Sequence, residues 1–300
     1  MQKDRSRSLL LYHFMVVIFG FSSVLGALIS LEAIPLVLYR MGLASVGLAF
    51  FFFFFQPQYF KLSPKMWGKV SLGGIIIAIH WVTFFHAIKV AGVSLTLSMM
   101  ATGAFITAMI EPLLIRRKIL GYEIIFGGIT AIGVGVIFNA EFEQFYGILI
   151  ALLSAFLSAL FTILNNQMVK HALPITLSFY ELLVGTLVCG VYVMFFGNYT
   201  WSSFAFNGYD WILILILAWV CTSYAFNVSI KVMKHLSSFT IMMIINLEPI
   251  YGILLSLAIW NEREYLSPSF YLGFFIVLGS ILVNGIYKPV SYTHLTLPTN

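Results

Sequence analysis

Residues 34–55 read IPLVLYRMGLASVGLAFFFFFF. The stretch carries one charge, Arg40, and ends on six consecutive phenylalanines, Phe50 to Phe55. At about 1.5 Å of rise per residue a helix of this length matches the roughly 30 Å hydrocarbon core of a bilayer. Every face of its last turn and a half is apolar, which points to lipid contact near an interface rather than to one buried stripe. The rest of the chain has the same character. Of 300 residues, 61% are hydrophobic and 9% are charged, with mean hydropathy +0.99. Soluble domains run nearer about 25% charged, so this chain cannot furnish a polar shell. It reads as an all-α integral membrane protein.

Outward from residues 34–55, the apolar stretches predict ten spanning helices, at roughly 9–30, 34–55, 69–89, 94–115, 121–139, 145–168, 175–196, 209–230, 238–259 and 270–287. The stretches lack the short alternating pattern of β-barrel strands. The connections are too short for a soluble domain. With the N-terminus inside, the inner segments hold Lys3, Arg5, Arg7, Lys61, Lys65, Lys69, Arg116, Arg117, Lys118, Lys170, Lys231, Lys234 and Lys288, and the outer ones only Lys89 and Arg263. That bias predicts both termini in the cytoplasm. The basic start MQKDRSRS precedes a long apolar run with no small-residue cleavage site, and reads as a first helix that stays. The polar tail, residues 289–300, shares nothing with the other helix ends; it reads as disordered or non-native and is left out of the fold reading.

Several functions are excluded. The basic residues sit in short clusters between apolar runs, which does not suggest nucleic acid. Cys189 and Cys221 lie within apolar segments without a CxxC, so neither disulfides nor structural zinc are indicated, and no metal site or cofactor is expected. No HExxH, GxSxG or GxxxxGK[ST] pattern is present, which argues against an enzyme or an ATP-driven pump. Nothing indicates a channel's filter or charged ring.

An internal repeat is faint but regularly spaced. Tyr39-Arg40 aligns with Tyr180-Glu181, and Ile88-Lys89-Val90, leading to Met99-Met100, aligns with Ile230-Lys231-Val232, leading to Met242-Met243. Each half then holds five helices, residues 1–139 and 140–288. Five is odd, so the halves enter the membrane from opposite sides. That is an inverted-topology repeat, the architecture of many secondary transporters.

With these parts in place the sequence resembles the drug/metabolite transporter superfamily, of the EamA type. The residues that carry the resemblance are Asn246-Leu247-Glu248-Pro249-Ile250-Tyr251, followed by Trp260-Asn261-Glu262-Arg263, similar to the family's LEP and gER-like ending. Arg40-Met41-Gly42-Leu43-Ala44 and the closing stretches GGITAIGVGVIFN and LGFFIVLGSILVN also match its pattern. The first half departs from it, with Glu111-Pro112 and then Arg116-Arg117-Lys118. The resemblance implies a cavity formed by the first, third, fourth, sixth, eighth and ninth helices, a small-metabolite substrate such as an amino acid, and export across the inner (plasma) membrane by alternating access. Protons are a candidate coupling partner. A flippase for lipid-linked or amphiphilic molecules with the same fold is the alternative.

A charge near the bilayer centre costs roughly 3 kcal/mol on insertion scales, so each one needs a reason. Glu248 precedes Pro249, which frees a carbonyl one turn earlier, and Asn246 is close by. Glu248 either binds a substrate ammonium group or a proton, or holds neighbouring helices around the kink. By helical rise, Arg40 lies about 7 Å outward of the midplane and Glu181 about 6 Å inward, too far for a bridge without tilt. Arg40 reads as an anchor or gating residue, and Glu181 as a candidate proton-coupling or structural carboxylate. His80 and Trp81 sit mid-helix, as a titratable group and an aromatic wall or as packing. Tyr224 and Asn227 are one turn apart and predicted to share a face. The predicted substrate-binding set is therefore Glu248, Asn246, Trp81, His80, Tyr224 and Asn227, with Glu181 and Arg40 for coupling or gating. Asn165-Asn166, ending the sixth helix, are expected at the membrane interface.

Overall fold

A bilayer offers no water to backbone amides, so apolar segments must satisfy them within helices. The computed structural model describes residues 2–115, 121–260 and 267–295, and among these no strand occurs. The helices are α1 (Gln2–Leu28), α2 (Ala33–Phe55), α3 (Trp67–Met100), α4 (Gly103–Ile115), α5 (Gly121–Ala140), α6 (Phe145–Met168), α7 (Pro174–Phe195), α8 (Asp210–Ala218), α9 (Ala225–Val232), α10 (Ser238–Ile245), α11 (Glu248–Trp260) and α12 (Pro268–Leu295). A π-helical turn, Trp219–Tyr224, joins α8 to α9. Seven helical runs are long and apolar enough to cross a membrane, and three shorter apolar helices, Gly103–Leu114, Ile125–Ala140 and Pro268–Ser280, accompany them. Arg116-Arg117-Lys118, Glu262 and Arg263 lie outside the described residues.

The helix ends differ from expectation in three places, each for a local reason. The loop expected at 90–93 shrinks to a single residue inside α3, Gly92, at φ 82° and ψ 167°. Lacking Cβ, glycine takes this left-handed conformation at no steric cost, so one residue does the work of a loop. The expected segment 94–115 is then interrupted at Ala101-Thr102, and 238–259 is interrupted in the same way at Asn246-Leu247. The two interrupted segments have matching parts. A short helical stretch (93–100, or α10 with 8 residues) precedes a two-residue turn and a 13-residue helix, α4 or α11. Finally, α12 continues past the expected end at 287, through Pro289, to Leu295. The proline forfeits one amide donor without ending the helix here.

Packing exchanges elements between the two halves. α1 packs on α9 and α11, while α6 packs on α3 and α4; α2 faces α7, and α5 faces α12. The last pair meets through glycines. A Cβ on Gly133 would lie 3.0 Å from the Gly273 carbonyl oxygen, and one on Gly273 2.8 Å from that of Gly133. Only bare backbone allows so close a crossing, the usual device of helix pairs in lipid. The Glu141 carboxylate, beyond the end of α5, accepts from the Ser267 amide (3.0 Å) and hydroxyl (2.8 Å) at the start of α12.

Polar ties close both ends of the bundle. Where α1 finishes, Asp210 accepts from the amide of Ser30 (3.0 Å) and that of Asn207 (2.9 Å), and from the Ser30 hydroxyl. Lys89 donates to the carbonyls of Ala27 (3.4 Å) and Ile29. At the other end the hydroxyls of Tyr180 and Thr176 donate to the carbonyls of Phe60 (2.7 Å) and Tyr59 (2.9 Å).

Candidate functional site

Inside the bundle lies a cavity of about 90 Å³. Tyr12, Phe19 and Ser22 of α1 line one side, and Ile77, His80, Trp81, Phe84 and Met100 of α3 another. Ser158, Phe161 and Thr162 of α6, with Phe226 and Ser229 of α9, complete the wall together with Met233 and Ile245. Two charged side chains reach it, Arg40 from α2 and Glu248 from the first turn of α11. The cavity therefore draws on both halves of the chain.

Arg40 is buried and held on three sides. Its Nε donates to Thr222 Oγ1 at 2.6 Å and its Nη2 to the Cys221 carbonyl at 3.5 Å. Its guanidinium lies 3.9 Å from the centre of the Trp81 ring, with the Phe85 ring 5.4 Å away. Charge-assisted bonds and the face of an indole offset the loss of water around the cation. The π turn makes this possible. Thr222 Oγ1 accepts from Arg40 while donating to the Leu217 carbonyl five residues back, at 2.7 Å.

Glu248 stands opposite. It is 8% exposed. It makes no hydrogen bond or ion pair among the described residues. It sits at the N-terminus of α11 just past the Asn246-Leu247 turn, where the helix dipole favours a negative group. A carboxylate buried among aromatic rings, near the charge of Arg40 but with no hydrogen bond of its own, is a ready acceptor for an ammonium donor.

His80 is fixed rather than free. Its Nδ1 lies 3.0 Å from the Ser154 carbonyl and 2.8 Å from Ser154 Oγ, and that hydroxyl donates to the His80 carbonyl at 2.9 Å. A carbonyl only accepts, so Nδ1 carries the hydrogen, and in the neutral ring Nε2 is left as an acceptor.

The structure thus brings Arg40, His80, Trp81 and Glu248 together around one cavity, and places the other sequence candidates elsewhere. Tyr224 is 49% exposed and does not line the cavity, nor does Asn227, whose Oδ1 is buried without a partner. The predicted face shifts because the π turn inserts an extra residue per turn, which brings Phe226 and Ser229 inward instead. Asn246 is buried in the helix break with neither side-chain amide atom paired, outside the cavity lining. Glu181 is also outside it, 0% exposed, accepting from Asn165 Nδ2 at 2.8 Å. Asn165 is thus buried between helices, with its amide on Glu181. Asn166, half-buried, donates to the Leu236 carbonyl at 2.7 Å.

The sequence reading missed Tyr12, Phe84, Phe161 and Phe226, because in an apolar chain an aromatic residue facing a cavity looks like one facing lipid. The only available signal for the hydroxyls of Ser158 and Thr162 was their one-turn spacing on α6.

Residues 145–286 match the EamA-like transporter family. A solved structure, described only as "Crystal structure of protein", aligns over 93% of this chain and 97% of that chain, with a TM-score of 0.68 and 14% identity. At that identity the likeness shows the fold alone. No curated protein matches the chain. The resemblance read from the sequence is thus shown, and the family implies a multi-pass membrane transporter of the drug/metabolite type.

Proposed function

We propose that the protein is a secondary transporter that carries a small metabolite with an ammonium group, such as an amino acid, out across the inner (plasma) membrane by alternating access. The observation that carries this reading is the pairing of Arg40 and Glu248 on one aromatic-walled cavity. The cationic side is already hydrogen-bonded by Thr222 and Cys221 and stacked on Trp81, while the carboxylate of Glu248 has no hydrogen-bond donor. A substrate ammonium at Glu248, with an apolar body against Phe84, Phe161 and Phe226, fits that asymmetry.

In this reading the chain crosses the bilayer ten times as two five-helix inverted repeats, residues 1–139 and 140–288, with both termini in the cytoplasm. The exchanged packing of the halves and the matching interruptions at Ala101-Thr102 and Asn246-Leu247 support it. So does the size of the cavity. About 90 Å³ is well below the roughly 300–1,000 Å³ of sites that enclose drug-sized ligands. A metabolite therefore enters only when the lining helices part.

The test is counterflow in liposomes reconstituted with purified protein and a pool of labelled amino acids. Saturable flux is expected, and Glu248→Gln is expected to cut it at least tenfold in protein that still elutes as a single folded species. Flux unchanged by Glu248→Gln would remove Glu248 from the site. If folded wild-type protein carries no pooled amino acid, that substrate class is wrong.

A further inference from the structure

Glu181 lies outside the transport cavity and has its own polar partner. Its carboxylate is sealed between α7, α6 and α3, with 0% exposure. A Cβ on Gly73 would land on Oε1, so the glycine makes room for the group. Oε1 accepts from Asn165 Nδ2 at 2.8 Å. Two further acceptors belong to this same pair, Glu181 Oε2 and Asn165 Oδ1, and both are buried without a hydrogen-bond partner. A buried acceptor with no donor is costly, and two on a pair already joined by one bond ask for a common remedy.

We propose that Glu181 and Asn165 form a binding site for one proton, separate from the cavity. A hydrogen on Oε2, shared with Oδ1, would complete a two-bond ring between a carboxylic acid and an amide and satisfy both orphan atoms. It would also remove an uncompensated charge from the interior of the bundle. A hard metal cation fits less well, since it wants about six oxygen ligands and this pair offers three at most, one of them already taken by the Asn165 amide.

No neighbouring charge competes for the role. On α2, Arg40 is engaged with Thr222 and Trp81, and on α3 His80 is bonded to Ser154. Lys69 of α3 and Lys231 of α9 are exposed. The Tyr180 hydroxyl donates to the Phe60 carbonyl, the Tyr59 ring packs on Phe52, and Cys189, two turns along α7, is buried as a free thiol. Asn165 is thus the polar side chain that faces Glu181.

The inference goes beyond the transport reading, and its test needs no substrate. Infrared spectra of the purified protein in lipid are expected to contain the carbonyl stretch of a protonated carboxylic acid. Glu181→Gln should remove that band and Glu248→Gln should leave it. Asn165→Leu should shift it to higher frequency, because the bonds that weaken the carbonyl are gone. A spectrum in which Glu181→Gln removes no such band overturns the proposal. Should Glu181→Gln fail to fold, Asn165→Leu decides alone: a shifted band supports the site and an unmoved one refutes it.

Discussion

The hold of the π turn on Arg40 can be tested with one substitution. Thr222→Val keeps the shape of the side chain and deletes its oxygen. Two bonds disappear with it, the 2.6 Å bond accepted from Arg40 Nε and the 2.7 Å bond donated to the Leu217 carbonyl. The first leaves a buried guanidinium N–H unpaired, which costs about 1.5–3 kcal/mol, and the second is a neutral bond worth about 0.5–1.5 kcal/mol. Together they predict a loss of about 2–4.5 kcal/mol, a change of roughly 30- to 2,000-fold in the folding equilibrium. The assay is reversible unfolding in mixed micelles with a rising fraction of denaturing detergent. Thr222→Ser, which keeps the oxygen, should recover most of the loss. If Thr222→Val unfolds within about 0.5 kcal/mol of wild type, the ordinary spread for a neutral substitution, the turn does not anchor Arg40.

Three further outcomes are expected. Gly92→Ala places a Cβ on a residue at φ 82° and should lower stability by about 1–2 kcal/mol in the same unfolding assay. Gly74→Ala would bring a methyl within 2.7 Å of both the Glu181 carbonyl oxygen and Val184 Cβ, forcing α7 away from α3. A net loss of about 1–3 kcal/mol follows, and no loss would show that the two helices are not in tight contact. Asp210→Ala frees the Ser30 amide, so hydrogen exchange at Ser30 should quicken while exchange in the middle of α1 stays slow.

What could be read in the sequence followed from rarity. Among so many apolar residues the few charges stand out, and a charge in a bilayer needs a purpose, so Arg40 and Glu248 were visible as site candidates before any contact was known. The helices themselves were visible for the same reason that the membrane allows little else. Three features were not. Nothing in Trp-Val-Cys-Thr-Ser-Tyr marks a π turn, because no side chain there forbids the ordinary helix; tertiary contacts with Arg40 favour the wider turn. With the turn unseen, Tyr224 was assigned to a wall that Phe226 and Ser229 provide. Nothing in the sequence showed that Asn165, near the end of a helix, faces Glu181, and only the gap at Gly73, on a helix distant in sequence, shows where Glu181 sits and what it needs. Gly92 was visible as a glycine, yet its positive φ is a property of the path that the chain must take between packed neighbours.

The π turn has a consequence for how the cavity wall is specified. One residue corresponds to about 100° of rotation in a helix. Were Trp219–Tyr224 to wind as an ordinary α-helix with no residue removed, α9 would turn by about that angle, sweeping Phe226 and Ser229 off the cavity and bringing a different stripe of side chains in. The chemistry of that wall is thus encoded in phase as well as in composition. A single-residue deletion at this point would straighten the turn yet keep Phe226 and Ser229 on the wall, which separates the anchoring of Arg40 from the facing of α9.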